Sequence, residues 1–179
     1  MFKQKFYALL HILITCLVII SCKKDNVSTD ITSDTFKITN NQAVMPVWVN
    51  GKTDSKFILL AVHGGPGSDV LDFRNYKNGL GFKQIESQYL VAYWQQRASG
   101  QSSGSEDESL FNITQYVDDL DKVVDELSQK YPNKKIILFG HSWGGMLTSS
   151  FLKDSNKRNK VVAWIDAAGA TNGLTLNQS

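Results

Sequence analysis

Cysteine is nearly absent from this sequence, which has only Cys16 and Cys22. Because no cysteine follows Cys22, the rest of the chain cannot form a disulfide bond within itself. An excess of basic charge is also missing, since 17 basic and 17 acidic residues follow Cys22, and without a basic field no nucleic-acid partner is expected. The apolar run from Ala8 to Ile20 has 13 residues, too few for an ordinary membrane-spanning helix.

The first residues are typical of an export signal. Two lysines precede the short apolar run, and Ser21 is a small residue before Cys22. The four residues ending at Cys22 resemble the lipobox of bacterial lipoproteins, in which the cysteine becomes the lipidated first residue of the mature chain. The resemblance implies that residues 1–21 are removed and that Cys22 anchors the protein to a membrane of the bacterial cell envelope. A plain signal peptide or an uncleaved anchor is the alternative.

The chain after Cys22 reads as one domain behind a linker. Residues 22–35 are polar and poor in apolar side chains, which predicts a flexible tether. Residues 36–179 alternate buried-type strands with amphipathic helices. This alternation predicts an α/β fold in which helices cover both faces of a mostly parallel sheet.

Turn residues and apolar runs locate the strands. A turn at Asn40–Asn41 divides residues 36–50 into two strands, and a hairpin signal at Asn50–Gly51 leads to the next strand. Further strands are predicted at residues 57–62, 89–94, 136–139 and 161–165, which makes six in all.

The clearest helix is predicted over residues 114–131. Thr114 can cap its amino end, and Pro132 stops it. Asp118 and Asp119 are expected to lie on its solvated face rather than to bind a metal. Two shorter helical pieces are predicted within residues 71–88.

A glycine-rich bend follows the strand at residues 136–139. Residues 140–144, GHSWG, have the form G-x-S-x-G, and apolar residues at helical spacing follow. Such a segment predicts a sharp strand-to-helix turn that strains the backbone of Ser142 and holds its hydroxyl above the sheet edge. Gly140 and Gly144 are needed because a Cβ at either position would collide with the turn. A glycine-rich connection that contains a serine by chance is the alternative.

A second glycine-rich segment, HGGPG at residues 63–67, follows the strand at residues 57–62. Main chain can approach a ligand closely there because few side chains intervene. Active sites in parallel sheets lie at the carboxyl ends of the strands, so this loop, residues 95–102 and Ser142 are expected to lie together. A tight structural turn is the alternative interpretation of the loop.

Three segments together resemble the α/β-hydrolase fold and, within it, the prolyl iminopeptidase-like serine peptidases. They are HGGPG at residues 63–67, QQRASGQSS at residues 95–103 and GHSWGG at residues 140–145. The resemblance implies a serine hydrolase in which Ser142 is the nucleophile and the N–H groups of Gly65 and Trp143 form the oxyanion hole. It also implies site-shaping residues in the loops, namely His63, Gly64, Pro66, Gly67, Arg97, Gly140 and Gly144.

The chain differs from the usual pattern of that group at three positions. Gln95 stands where the group has aspartate, and Ala98 and His141 each replace a glycine. The resemblance to the peptidases implies an amino-terminal peptide bond as the substrate. An ester is equally implied, because GHSWGG also occurs in esterases and lipases of the same fold. The resemblance implies no cofactor and no metal.

A histidine after the serine is what the pattern lacks. In the α/β-hydrolase fold the triad runs serine, acid, histidine along the chain, but no histidine follows Ser142. Of the downstream acids, Asp154 and Asp166, the second is interpreted as a strand-end residue, and His63 as structural. We therefore expect an amino-terminal part of the domain that stops after the sixth strand and is inactive alone. A catalytically inactive lipoprotein or binding module is the alternative function.

Overall fold

The computed structural model describes residues 31–74, 81–104 and 107–169. Six strands in this part of the chain form one sheet in the order β1-β2-β4-β3-β5-β6. They are β1 (Ile31–Asn40), β2 (Ala43–Lys52), β3 (Phe57–Val62), β4 (Leu90–Trp94), β5 (Lys135–His141) and β6 (Ala163–Ala167). The pairs β1/β2 and β2/β4 are antiparallel, and the other pairs are parallel. The prediction of a mostly parallel sheet is confirmed.

Helices cover both faces of the sheet. They are α1 (Leu71–Arg74), α2 (Lys83–Glu86), α3 (Ile113–Lys130), α4 (Trp143–Lys153) and α5 (Ser155–Arg158). Alternate residues of β3 point to opposite faces. Leu60 is therefore buried in the layer that contains α3 and α4, and Leu59 in the layer that contains α1 and α2.

The first strand begins earlier than the sequence predicts. β1 starts at Ile31, so the last five residues of the predicted tether belong to the sheet, and its boundary at residue 35 is wrong. Main-chain pairing with β2 forms this part of β1, where Ile31 lies opposite Lys52. Its side chains from Thr32 to Thr35 are polar, and hydrophobic patterning cannot locate a strand of this kind.

The hairpin predicted at Asn50–Gly51 is also wrong. β2 continues through this point to Lys52 and pairs with β4, while β3 lies between β4 and β5. Gly51 has φ +114, and a Cβ there would stand 2.2 Å from the Tyr89 main-chain oxygen. The glycine is thus required by the close approach of the chain before β4, not by a hairpin turn.

Helix α3 confirms the predicted amphipathic helix but has a different cap. The Asn112 side chain accepts a hydrogen bond of 3.0 Å from the Gln115 N–H, so Asn112 rather than Thr114 is the N-cap. The helix ends at Lys130, before Pro132 as predicted.

Strand β6 is the edge of the described sheet and pairs with β5. Val162, just before β6, and Ile165, within it, are 54% and 47% exposed. No helix within the described ranges has the length and apolar character needed to cross a membrane. The predicted signal, Cys22 and the residues up to 30 lie outside the described part of the chain.

Candidate active site

The candidate site is built around the bend between β5 and α4. β5 ends at His141 and α4 begins at Trp143, so Ser142 alone makes the turn. Its backbone has φ 52 and ψ −118, a conformation that costs a non-glycine residue about 1–3 kcal/mol and persists only where its surroundings impose it. The predicted strained strand-to-helix turn is confirmed, and the Ser142 side chain is only partly buried.

The two glycines of the bend are there because main chain lies against them. A Cβ at Gly144 would stand 2.1 Å from the Val62 oxygen, and one at Gly140 would stand 2.6 Å from the Gly144 oxygen. Real Cβ atoms do not approach main-chain oxygens so closely. The predicted collision with the turn is confirmed at Gly140, whereas at Gly144 the collision is with the end of β3. Gly144 thereby lets α4 start directly over the end of β3.

The glycine-rich loop after β3 lies against this bend. A Cβ at Gly64 would stand 3.2 Å from both the Ser142 Cβ and the His141 Nδ1. Gly65 and Gly67 have φ +118 and +91, and with Pro66 they are exposed. The expectation that the parallel sheet brings the loop and Ser142 together is therefore confirmed.

His63 holds the loop through both ring nitrogens. The His63 Nδ1 donates to the Gly64 oxygen at 2.8 Å, and the Nε2 accepts from the Gln96 N–H at 3.1 Å. Burial is the main influence on this ring, and it lowers the pKa of His63 below its usual value. A neutral imidazole with both nitrogens engaged is a structural residue, as the sequence indicates. His141, in contrast, is exposed, and its ring packs edge-on against Phe73.

Gln96 connects the two halves of the site. Its Nε2 donates to the His63 oxygen at 2.8 Å, and its Oε1 accepts from the Trp143 Nε1 at 3.1 Å. One buried side chain thus ties the glycine-rich loop to the first residue of α4. The sequence indicates only that the segment shapes the site. The two polar contacts of Gln96 join residues far apart in the chain and leave no local pattern.

Gln95 and Ala98 show how the departures from the family pattern are accommodated. The Gln95 side chain is buried, accepts from the Val70 N–H at 3.3 Å and donates to the Ser68 oxygen at 3.1 Å. An amide can donate and accept at once, which a carboxylate cannot. Ala98 has φ 52, a conformation that favours glycine, which explains why a glycine suits this position.

Arg97 is buried away from the opening and acts through an ion pair. Its Nε lies 2.5 Å from Asp119 Oδ2, and its Nη2 donates to Asp119 Oδ1 at 2.8 Å and to the Asn40 oxygen at 3.2 Å. The prediction that Asp119 faces water is wrong, since neither side chain is more than 1% exposed. Arg97 therefore shapes the site indirectly, because it fixes the loop after β4 to α3 and to the β1–β2 turn.

The remaining acids do not join this group. Asp154 caps α5 through a hydrogen bond of 2.8 Å from the Asn156 N–H. Asp166 lies in β6, and its Oδ1 would be 2.4 Å from a Cβ at Gly145, so it packs against the first turn of α4. Among the described residues, no group of three or more histidine, cysteine or acidic side chains could hold a metal ion.

Comparison with known proteins supports this geometry. Residues 56–175 match the family described as serine aminopeptidase, S33. The chain is 33% identical over 136 residues to a proline iminopeptidase of Chitinophaga pinensis. The aligned region covers 72% of this chain and 42% of the relative. It is also 31% identical over 107 residues to a probable aminopeptidase of Bacillus subtilis. That aligned region covers 59% of this chain and 32% of the relative.

Solved structures share the fold. A proline iminopeptidase-related protein from Thermus thermophilus superimposes with a TM-score of 0.60 at 22% identity, over 77% of this chain and 45% of the other. An epoxide hydrolase from Vigna radiata gives a TM-score of 0.59 at 19% identity, over 75% of this chain and 39% of the other. The chain spans less than half the length of each of these proteins.

Proposed function

The chain belongs to the serine aminopeptidase S33 family and has the α/β-hydrolase fold, and from this premise we propose that it is a serine hydrolase with Ser142 as its nucleophile. The single observation that carries the proposal is the backbone of Ser142, held at φ 52 between a strand and a helix beside a glycine-rich loop. Strain of this kind is maintained at functional sites. The proposed substrate is an ester or an amino-terminal peptide bond.

The main-chain amides of Gly65 and Trp143 are the proposed oxyanion donors. Trp143 is the first residue of α4, where an N–H has no partner inside the helix and carries positive dipole character. Neither amide donates a hydrogen bond to another group of the described residues. Two free donors beside a serine fit the stabilisation of the negative charge that develops on a carbonyl oxygen during acyl transfer.

The reaction needs a base that takes the proton of the Ser142 hydroxyl as the oxygen attacks the carbonyl carbon. His63 does not fit this role, because its two ring nitrogens already bond to Gly64 and Gln96. We propose that the base and its acid come from outside the residues described here. The bond to the alcohol or amine then breaks, and this leaving group takes the proton from the base. Water, deprotonated by the same base, attacks the acyl-serine and releases the carboxylic acid and the free Ser142 hydroxyl.

A serine-directed fluorophosphonate probe tests the nucleophile. We expect the protein, together with the segment that supplies the base, to gain one probe adduct, found by mass spectrometry on the peptide that contains Ser142, and we expect Ser142→Ala to abolish it. Ser149→Ala is the matched control and should leave labelling unchanged, because the Ser149 hydroxyl lies further along α4 and donates to the Met146 oxygen. An adduct that persists in Ser142→Ala would reject Ser142 as the nucleophile.

A second candidate, an inactive binding module with the same cleft, is favoured by one observation: both ring nitrogens of the buried His63 are engaged, so this histidine cannot act as the base. Without a base, the serine is a weak nucleophile. This candidate predicts that the full chain gains no adduct and hydrolyses no activated ester. Its ligand binding should be equal with and without the Ser142 hydroxyl. Burst release of product from an activated ester by the full chain would contradict it.

We also propose that the protein is a lipoprotein of the bacterial cell envelope, anchored through Cys22. The support is the short apolar run behind two lysines and the lipobox-like residues that end at Cys22. Cells fed an alkyne fatty acid should incorporate it into the wild-type chain and into Cys16→Ser, but not into Cys22→Ser. The Cys22→Ser protein should also leave the membrane fraction in a wash at about 0.5 M salt, which screens surface charge. Equal incorporation in all three chains would refute the anchor.

A further inference from the structure

Charge is distributed unevenly along the strand direction. Segments at the amino ends of the parallel strands contain nine basic and four acidic residues, whereas loops at the carboxyl ends contain seven acidic and two basic residues. The amino-end segments are residues 31–34, 50–56, 86–89, 128–135 and 152–160. The carboxyl-end segments are residues 63–74, 95–104, 107–119, 141–142 and 166–169. The candidate active site thus lies at the acidic end, and the opposite end is basic.

Five exposed residues at the basic end form what we call the basic face: Lys56, Lys130, Lys135, Lys153 and Arg158. Strand pairing brings them to one end, because the Lys135 N–H donates to the Lys56 oxygen at 2.9 Å and the connection from α4 returns to β5 through a bond from Val162 N–H to the Ile136 oxygen. None of the five has a carboxylate within ion-pair distance among the described residues, whereas Lys52, Lys157 and Lys160 are paired.

Helix polarity explains only part of this excess. Lys130 and Lys153 lie in the last turns of α3 and α4, where a cation stabilises the helix dipole. Lys56 directly precedes β3 and Lys135 begins β5, so the helix dipole does not explain either of them. Their charges are exposed side by side without a compensating acid, which is the electrostatic pattern of a surface that binds anions.

The chain enters the domain at this same end. Ile31, the first residue of β1, lies opposite Lys52 at the amino end of the sheet. Ile31 is nine positions after Cys22 in the sequence, and a fully extended chain of that length spans at most about 30 Å. Ser142 lies at the far end of β5, about 20 Å from Lys135 at the rise of a strand. A lipid at Cys22 would therefore hold Ile31, at the basic end, within about 30 Å of the bilayer.

We propose that the basic face rests on an anionic phospholipid bilayer and turns the candidate active site toward the aqueous side. Lysine and arginine near an anionic leaflet are attracted to it, and the attraction decays within a Debye length of about 8 Å at physiological salt. The acidic loops at the opposite end would be repelled if they faced the same surface, so charge favours the orientation with the basic face on the bilayer. This inference does not depend on Ser142 being a nucleophile.

Lysine footprinting of the full chain on vesicles tests the orientation. The protein is mixed with vesicles of phosphatidylcholine alone, or of phosphatidylcholine with phosphatidylglycerol, and is treated with a water-soluble N-hydroxysuccinimide ester. We expect the labelling rates of Lys56 and Lys135 to fall about threefold or more on the anionic vesicles and to recover at about 0.5 M salt, where the Debye length is about 4 Å. Lys37 and Lys122, which lie away from the basic face, should label equally on both.

Two charge-reversal variants separate this face from general adsorption. Lys56→Glu with Lys135→Glu should abolish the protection of Lys130 and Lys153 on anionic vesicles. Lys37→Glu with Lys122→Glu changes the net charge by the same amount and should leave that protection intact. Equal labelling of Lys56 and Lys135 on both vesicle types would overturn the proposal.

Uniform protection of all lysines would overturn it as well. The contrast between the two vesicle types is also expected for Cys22→Ser, because it depends on the basic face and not on the lipid. A failure of the anchor proposal can therefore be told apart from a failure of this one.

Discussion

Replacing Asp119 with alanine is expected to lower the free energy of unfolding by about 3–5 kcal/mol, the usual cost of removing one partner of a buried ion pair. The change leaves the Arg97 guanidinium in the interior with its charge uncompensated. Arg97 is 1% exposed and makes two of its hydrogen bonds with Asp119, and its Nη1 has no partner among the described residues. Urea denaturation of the full chain, followed by circular dichroism, measures the difference.

The neighbouring residue provides the control. Asp118→Ala makes the same chemical change one position earlier on α3 and also removes a hydrogen bond of 2.8 Å from the Asn40 Nδ2. It breaks no ion pair, so we expect a loss of about 1 kcal/mol or less. Combining Arg97→Met with Asp119→Leu should recover part of the loss, because the buried charge disappears. Equal effects of the two alanine substitutions would show that the Arg97–Asp119 pair does not stabilise the fold.

This pair also marks a limit of what the sequence predicts. The apolar stripe of α3 is readable from the spacing of Leu120, Val123 and Leu127, and the structure buries all three. Asp119 lies on the same side of the helix. Hydrophobic patterning nevertheless predicts that an acidic residue is exposed to solvent, so it does not predict the burial of Asp119. Its burial depends on Arg97, which is 22 positions earlier in the chain and in a loop. No local pattern shows a partner of that kind.

The order of the strands in the sheet is likewise only partly predictable from the sequence. The strands β3, β4 and β5 are predicted because residues buried on both faces form continuous apolar runs. The placement of β3 between β4 and β5 is not predicted, and an Asn-Gly dipeptide suggests a hairpin that does not form. Gly51 is instead required by the Tyr89 oxygen on a neighbouring segment. A glycine in the sequence can indicate that another part of the chain approaches closely, but it does not identify that part.

The candidate site is more predictable than its surroundings because part of its geometry is local. Gly140 lies against the Gly144 oxygen within the same five residues, whereas Gly144 lies against the Val62 oxygen at the end of β3. The link through Gln96 is not local, since it joins His63 to Trp143 across three separate segments. The sequence therefore predicts the position of the proposed nucleophile, but not the contacts that hold the proposed oxyanion donors beside it.

Replacing Gly144 with alanine is expected to cost about 3 kcal/mol of folding free energy, the upper part of the range for overpacking. The added methyl group would stand 2.1 Å from the Val62 oxygen and 2.8 Å from the His63 oxygen. Both atoms belong to main chain at the end of β3, which cannot rotate aside as a flexible side chain would. Helix α4 must then move away from the sheet, and it carries Ser142 and Trp143 with it. Urea denaturation measures the loss of stability.

Gly67→Ala separates this steric cost from the ordinary cost of losing a glycine. Gly67 has φ +91, but no atom lies within 4 Å of the position its Cβ would take, so only backbone conformation opposes the change, at about 1–2 kcal/mol. The Gly144 variant should therefore be the less stable of the two, although alanine suits a helix better than glycine does. If Gly144→Ala were as stable as wild type, α4 would have room to shift, and contact with β3 would not be what imposes the strained backbone of Ser142.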